Sequence, residues 1–302
     1  MVMKKAFLIL LIIKSFSSQA CDVCGCANGA SFFGILPQSH FRFGGLRYQN
    51  KTFVSHVKSN LLRSEENFQA IEPWIRLYPI KKTQLIFIGS YQSNLQTLLS
   101  SGEKKQLQGF GDITAIAHFN VLNTFMDSSM HKSDYIWLLG GGIKLPTGKY
   151  EYGINSDEVA NPNFQLGTGS FDYIINSIYT LRKSSIGLNL DLSYKINGTN
   201  SNAYKFANKA RAGINVFSQN VYKNLTLMPN LGILAEHSGF DLNNKVKNRF
   251  SGGYLVNGTF GFELYYKKIT TGFLFQKPIL QNLSGGELKL KNSFTSHLTL
   301  LF

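Results

Sequence analysis

Residues Ser185 to Lys195 alternate without a break. Ile186, Leu188, Leu190, Leu192 and Tyr194 fall on one face of an extended chain. Ser185, Gly187, Asn189, Asp191, Ser193 and Lys195 fall on the other. A period of two is the signature of a strand with two different surroundings. Asp191 and Lys195 are poor residues for the dry core of a sandwich, whereas an apolar face toward lipid and a charged face toward a wet lumen accommodate both sets. The split recurs at 224–236, where Leu225, Leu227, Leu231 and Ile233 oppose Thr226, Asn230 and Glu236. It recurs near 254–264, where Tyr254, Val256, Phe260, Phe262 and Leu264 oppose Asn257, Thr259 and Glu263. At the end of the chain, Phe294, Ser296, Leu298, Leu300 and Phe302 oppose Ser293, Thr295, His297, Thr299 and Leu301. The last residue of the sequence is that phenylalanine.

The remaining candidates are 39–49, 67–79, 83–93, 109–121, 133–145, 165–181, 204–217 and 269–280, giving about twelve strands. Their length, roughly nine to fifteen residues, suits tilted membrane strands better than soluble ones. The links between them alternate. Lys81-Lys82, Arg182-Lys183-Ser184, Asn220 to Lys223 and Lys267-Lys268 are short. Segments 50–66, 94–108, 146–164, 197–203, 238–249 and 281–291 are long and polar. Short periplasmic turns and long extracellular loops follow this rhythm. Only 122–132 breaks it, being long where a short turn is expected. The fold expected is all-β, a transmembrane antiparallel β-barrel with both termini periplasmic.

Residues 1–20 read as a signal peptide. Lys4 and Lys5 precede the apolar run 6–13, and Ser18-Gln19-Ala20 places small residues before Cys21. The organisation expected is therefore a signal over 1–20, a cysteine-containing periplasmic segment over 21–38 and the barrel over 39–302, in the bacterial outer membrane. The chain carries a formal charge of +14, of which Lys4, Lys5 and Lys14 lie in the signal, leaving +11. The lysines are scattered and no nucleic-acid-binding motif is present, so nucleic acid is not an expected partner. Outer-membrane lipid and lipopolysaccharide are. The 24 Phe and 14 Tyr suit the apolar belt and its aromatic girdles.

Three glycine-rich stretches stand out. Gly109-Phe110-Gly111-Asp112-Ile113 starts one strand. Gly140-Gly141-Gly142-Ile143-Lys144-Leu145-Pro146-Thr147-Gly148-Lys149 ends another. Gln165-Leu166-Gly167-Thr168-Gly169-Ser170-Phe171-Asp172 starts the next. With the aromatic end, they resemble the outer-membrane barrels of the MetA-pathway phenol-degradation-like transporter family, over most of the chain from about residue 40 onward. The resemblance implies a barrel that moves small molecules, built by the barrel-assembly machinery, and supplies no substrate. Read physically, strand glycines permit bends and close backbone approach, and Pro146 suits a strand leaving the membrane. Asp112 and Asp172 sit at matching points after glycines, either as an inward polar pair near the outer rim or as caps of loop turns.

All three cysteines lie at 21–26 as C-x-x-C-x-C. Three readings stand side by side: a Cu(I) or Zn site made by Cys21, Cys24 and Cys26, a disulfide with one thiol left over, and lipidation of Cys21. A c-type haem is excluded because Gly25 stands where histidine must follow Cys24. No cofactor is required by the rest of the chain. Parity turns Glu72, Arg76, Asp112, His118, Lys144, Asp172, Asp191, Lys195, Lys209, Arg211, Glu236, Glu263 and His297 inward. The stretch 32–37 is a candidate lumen plug. None of the six histidines sits in a catalytic motif, so a non-enzymatic barrel is expected. It passes or binds a small molecule or soft metal ion. A structural or surface-binding barrel, and a lipid-modifying enzyme, are the alternatives.

Overall fold

The computed structural model describes residues 42–124, 133–150 and 164–302. The signal, Cys21, Cys24, Cys26 and the candidate plug lie outside them.

Twelve antiparallel strands close into one barrel. They are β1 (Phe43–Ser55), β2 (Ser64–Ile80), β3 (Thr83–Ile88 with Tyr91–Leu98), β4 (Lys104–Phe110 with Ile113–Asn123), β5 (Asp134–Leu145) and β6 (Asp172–Lys183). The second half comprises β7 (Ile186–Ile196), β8 (Lys209–Ser218 with Asn220–Tyr222), β9 (Leu225–Ser238), β10 (Gly253–Tyr266), β11 (Ile269–Leu283) and β12 (Leu288–Leu301). Each strand pairs with its neighbours in sequence. Closure comes from β1, which pairs with β2 from Phe43↔Arg76 to Ser55↔Ser64 and with β12 from Phe43↔Leu301 to Ser55↔Leu288.

The distribution of side chains is that of a membrane barrel. Leu231 is 65% exposed, Ile175 58% and Leu298 57%, all facing outward, while Glu263 is fully buried. Tyr48, Phe294, Phe273 and Phe262 form a row of neighbouring rings across β1, β12, β11 and β10, with centroids 5.7, 6.1 and 6.2 Å apart. The row covers the closing seam with aromatic surface on the lipid side. Inside, β2 turns every even residue from Ser64 to Arg76 into the barrel, and all are buried. Exposed apolar and buried polar surface together require a solvent of hydrocarbon around the strands.

One end carries short turns at 81–82, 184–185, 223–224 and 267–268, with the longer link 124–133 among them; the other carries the long loops. In such barrels short turns face the periplasm. The long loops are shorter than their sequence suggests: β1 continues to Ser55 and β2 begins at Ser64, so 50–66 is mostly strand. Likewise β3 and β4 extend to Leu98 and Lys104, replacing the expected loop 94–108. Their polar residues pair across strands in a hairpin rising beyond the end of β5. Two loops also meet in a small sheet of Tyr204–Lys205, Leu242–Asn243 and Val246–Lys247, so the expected strand 204–217 starts only at Lys209. The largest correction concerns 165–181. The strand begins at Asp172, and 164–170 is a non-strand segment packed inside the outer mouth.

Candidate functional site

The three glycine-rich stretches converge at that mouth. Asp112 lies with Gly111 in the break of β4 between Phe110 and Ile113, where Gly111 donates its N–H to the Ser90 carbonyl at 2.8 Å. The Asp112 carboxylate accepts from the Gly148 N–H at 2.9 Å and the Thr168 N–H at 3.0 Å. One side chain thus holds both arms of the excursion between β5 and β6. Lys144, near the end of β5, is buried among Asp112, the Thr168 hydroxyl at 2.5 Å and Asp172 at 2.8 Å. Asp172 accepts from Ser170 Oγ at 2.8 Å and from the Gly198 N–H at 3.1 Å, and Lys195 stands 3.7 Å away.

Glycine makes this cluster possible. A Cβ on Gly148 would lie 2.9 Å from the Gly111 carbonyl carbon and from the Leu166 oxygen. One on Gly167 would lie 2.5 Å from Asp112 Oδ1 and 2.8 Å from the Gly148 oxygen. Each of the three motifs therefore gives one glycine to a single backbone contact, which brings the amides within reach of Asp112. Beyond it, the segment is held to the far wall of the mouth. Gln92 donates to the Leu166 carbonyl at 3.0 Å and Asn94 to that of Gln165 at 3.4 Å. Phe164 packs on Phe68, which packs on Phe53, within a buried cluster that includes Leu255, Leu283, Leu288 and Leu290.

Below the mouth the inner wall is charged. Arg47 and Glu72 face each other in register across β1 and β2, with Nε and Oε2 2.5 Å apart, and Gln49 donates to the same carboxylate at 2.8 Å. Arg211 and Glu236 pair in register across β8 and β9 at 3.7 Å. Nearer the periplasm, the Arg76 guanidinium sits 3.6 Å above the Phe43 ring. Phe43 belongs to a second apolar cluster with Trp74, Ile86, Ile88, Ile116, Ile174 and Leu301.

A recurring device links alternate strands. Asn215, Gly232 and Thr259 are register neighbours on β8, β9 and β10, and Thr259 Oγ1 donates to Asn215 Oδ1 at 3.0 Å across the glycine. Glu263, Gly272 and His297 repeat it on β10, β11 and β12, with the carboxylate and imidazole 2.8 Å apart. His118 and Asn176 meet over Gly140 in the same way, since a Cβ there would strike both. His297 Nδ1 also lies 3.2 Å from Thr299 Oγ1. This hydroxyl–imidazole–carboxylate series is buried in all three members.

Of the thirteen residues expected to face inward, eleven are buried and Arg211 and Glu236 are half-buried. Asp112, Lys144, Asp172 and Lys195 are brought together, as are the pairs Arg211–Glu236 and Glu263–His297. Glu72 and Arg76 instead find partners outside the set, in Arg47 and in Phe43 with Gln84. Lys209 stands in register beside Lys195, Asp191 lies near Arg211, and His118 meets Asn176 over Gly140. Sequence reasoning missed Arg47, Lys51 and Glu66. Lys51 and Glu66 fell within a segment read as loop, although the alternation of Arg47, Gln49, Lys51 and Phe53 continues through it.

The closed strand order, apolar exterior and charged interior define a bacterial outer-membrane β-barrel. Its fold is similar to that of the COG4313 outer membrane channel from Pseudomonas putida F1, with a TM-score of 0.64 at 13% identity, over 89% of this chain and 100% of that one. It is also similar to the β domain of the Bordetella autotransporter BrkA, with a TM-score of 0.50 at 10% identity, over 87% of this chain and 100% of that one. No protein-family model matches the sequence, and no curated protein matches it.

Proposed function

We propose that this barrel is an outer-membrane channel for a small organic solute, closed at its outer mouth by residues 164–170. The observation that carries the reading is the convergence of Asp112, Lys144 and Asp172 on a segment that is inside the mouth without being part of the wall. A purely structural barrel has no need of a separately latched segment, whereas a channel selects through constriction and loop closure. A protein of the same fold is described as a channel, and the resemblance of the three glycine motifs points to small-molecule transport. Two apolar clusters separated by the Arg47–Glu72 belt suit a solute with an apolar body and a polar group.

Planar-bilayer recording tests this. Wild type is expected to conduct in brief openings, and a variant with 165–169 replaced by a short Gly-Ser link is expected to stay open. A shortened variant that folds and carries no current refutes the channel.

A second reading is a structural or surface-binding barrel without flux. It is favoured by the tight packing of one part of the lumen: the cavity beside Gln49, Lys51, Gln92 and Asn94 measures only about 10 Å³, room for one water at most. The same recording separates the two. The enclosed Thr299–His297–Glu263 series gives a lipid-modifying activity no support. For Cys21, Cys24 and Cys26 a Cu(I) or Zn site is kept as a proposal. Metal analysis of the mature protein and of its Cys24→Ala and Cys26→Ala variants tests it, and metal content independent of both thiols refutes it.

A further inference from the structure

We propose that a groove on the lipid face of β7–β10 seats an acyl chain of a phosphorylated, multiply acylated glycolipid of the outer leaflet, whose phosphate is held by the loops above it. The inference rests on the outer-membrane location and is independent of transport.

The register builds the groove. One outward row runs Leu192, Ala212, Ala235, Val256 across the four strands. Large side chains stand at both sides and two alanines lie between them. The next row toward the outside runs Tyr194, Ala210, His237, Tyr254, with a third alanine in the floor. The row below runs Leu190, Ile214, Ile233, Gly258, where the two exposed isoleucines end the floor toward the membrane centre. The resulting depression, which continues past Leu192 to Ile175 and Ser177 on β6 and Leu139 on β5, measures about 580 Å³ and its surface is almost wholly apolar. That is within the range of about 300–1,000 Å³ seen for ligand pockets. A smooth barrel wall is met by fluid lipid, but a walled trough can order a single chain.

Its height fixes the leaflet. Tyr194 lies two residues before the outer end of β7, His237 one before that of β9, and Tyr254 one after the outer start of β10. The loops that leave these strand ends, 197–208 and 239–252, are joined through the pairing of Tyr204–Lys205 with Leu242–Asn243. They carry Lys205, Lys245, Lys247 and Arg249, the last three exposed. Their one acidic residue, Asp241, is buried on the Tyr204 hydroxyl at 2.5 Å and the Ala207 N–H at 2.8 Å, and offsets only one of the four cations. Val246 and Phe250 are 69% and 77% exposed between these cations. Apolar side chains among cations are the pattern of a segment that dips into a headgroup layer. Ammonium and guanidinium groups above an acyl trough match a lipid with phosphate above its chains.

The test is lipid quantification by native mass spectrometry on protein extracted in mild detergent from outer membranes. Three forms are compared: wild type, Lys245→Gln/Lys247→Gln/Arg249→Gln, and Ala212→Leu/Ala235→Leu. Folding is checked by heat-modifiable gel migration. Wild type is expected to retain the glycolipid. The rim variant is expected to retain at least about tenfold less, since each surface cation near anionic lipid is worth roughly a fivefold gain, and the filled groove is expected to lose most of the bound lipid. Retention unchanged in the rim variant overturns the headgroup assignment, and retention unchanged in the filled groove overturns the seat. Phospholipid in place of glycolipid, no lipid at all, or a second barrel covering the groove each overturn the occupant. Should the leucine variant not fold, the rim variant decides alone. Conductance does not enter the readout, so this proposal and the channel fail separately.

Discussion

Replacing Lys144 by methionine keeps the length of the side chain and removes its charge. Asp112 and Asp172 are then left buried at one mouth with their central cation gone. Removing one member of a buried ionic group costs about 3–5 kcal/mol. The lower figure applies here, because Lys195 stays 3.7 Å from Asp172 and the Ser170, Gly148 and Thr168 donors remain. The penalty is relieved by letting water reach the carboxylates. The wall strands cannot provide that without losing their ladders, whereas 164–170 is outside the ladder and can move. The closed mouth therefore loses about 3 kcal/mol against the open one, roughly a hundredfold in their ratio. Single-channel recording is expected to show open occupancy rising by up to that factor, with the barrel still folded by gel migration. The quadruple variant Asp112→Asn/Lys144→Met/Asp172→Asn/Lys195→Met removes all four charges of the cluster and is expected to return toward wild type, because a neutral buried cluster is far less costly than a broken ionic one. A folded Lys144→Met protein that gates like wild type refutes the latch. So does a quadruple variant more open than the single one.

Other consequences follow from the same geometry. A Cβ at Gly272 would lie 2.6 Å from Glu263 Oε2, so Gly272→Ala separates Glu263 from His297 and should cost about 3 kcal/mol in urea unfolding of the detergent-solubilised barrel; an unchanged midpoint refutes the pairing. Phe164→Ala removes a buried ring from the Phe53–Phe68 cluster, a change worth about 3–5 kcal/mol. Hydrogen exchange of 165–170 is expected to speed up while that of the β10–β12 amides stays constant.

Much of the wall was legible because a period of two fixes which way each side chain faces once one residue is placed. Asp191, Lys195, Glu263 and His297 needed only a count from an apolar neighbour. The mouth was not legible by the same rule. Gln165 to Asp172 alternates much as a strand does, and its glycines were read as strand glycines. What overrides the pattern is tertiary: Gly167 finds Gly148 and Gly111, neither adjacent in sequence, and their contact is stronger support than a ladder that β5, ending at Leu145, is too short to offer. Parity also fails across the breaks at Gly89-Ser90 and Gly111-Asp112, so the inward direction of Asp112 could be read only by counting from Ile113 onward. The groove above β8 and β9 was hidden for another reason, since Ala210, Ala212 and Ala235 matter through the size of their register partners.

Glycine therefore serves two purposes here, and they separate stability from gating. Gly232 lies between paired strands, and a Cβ there would approach the Asn215 Cγ at 2.7 Å, within a ladder bonded on both sides. The wall around it cannot yield locally, so the strain of Gly232→Ala is borne by the whole barrel and should appear as about 1–3 kcal/mol of lost unfolding stability. Gly167 has the same kind of crowding but belongs to a segment with no ladder, so the strain of Gly167→Ala is relieved by displacement of that segment alone. Open occupancy is expected to rise in Gly167→Ala with an unchanged urea midpoint, and to stay at the wild-type level in Gly232→Ala with a lowered one. If the two substitutions change conductance and midpoint together, the mouth segment is part of the wall's cooperative unit and does not act as a gate.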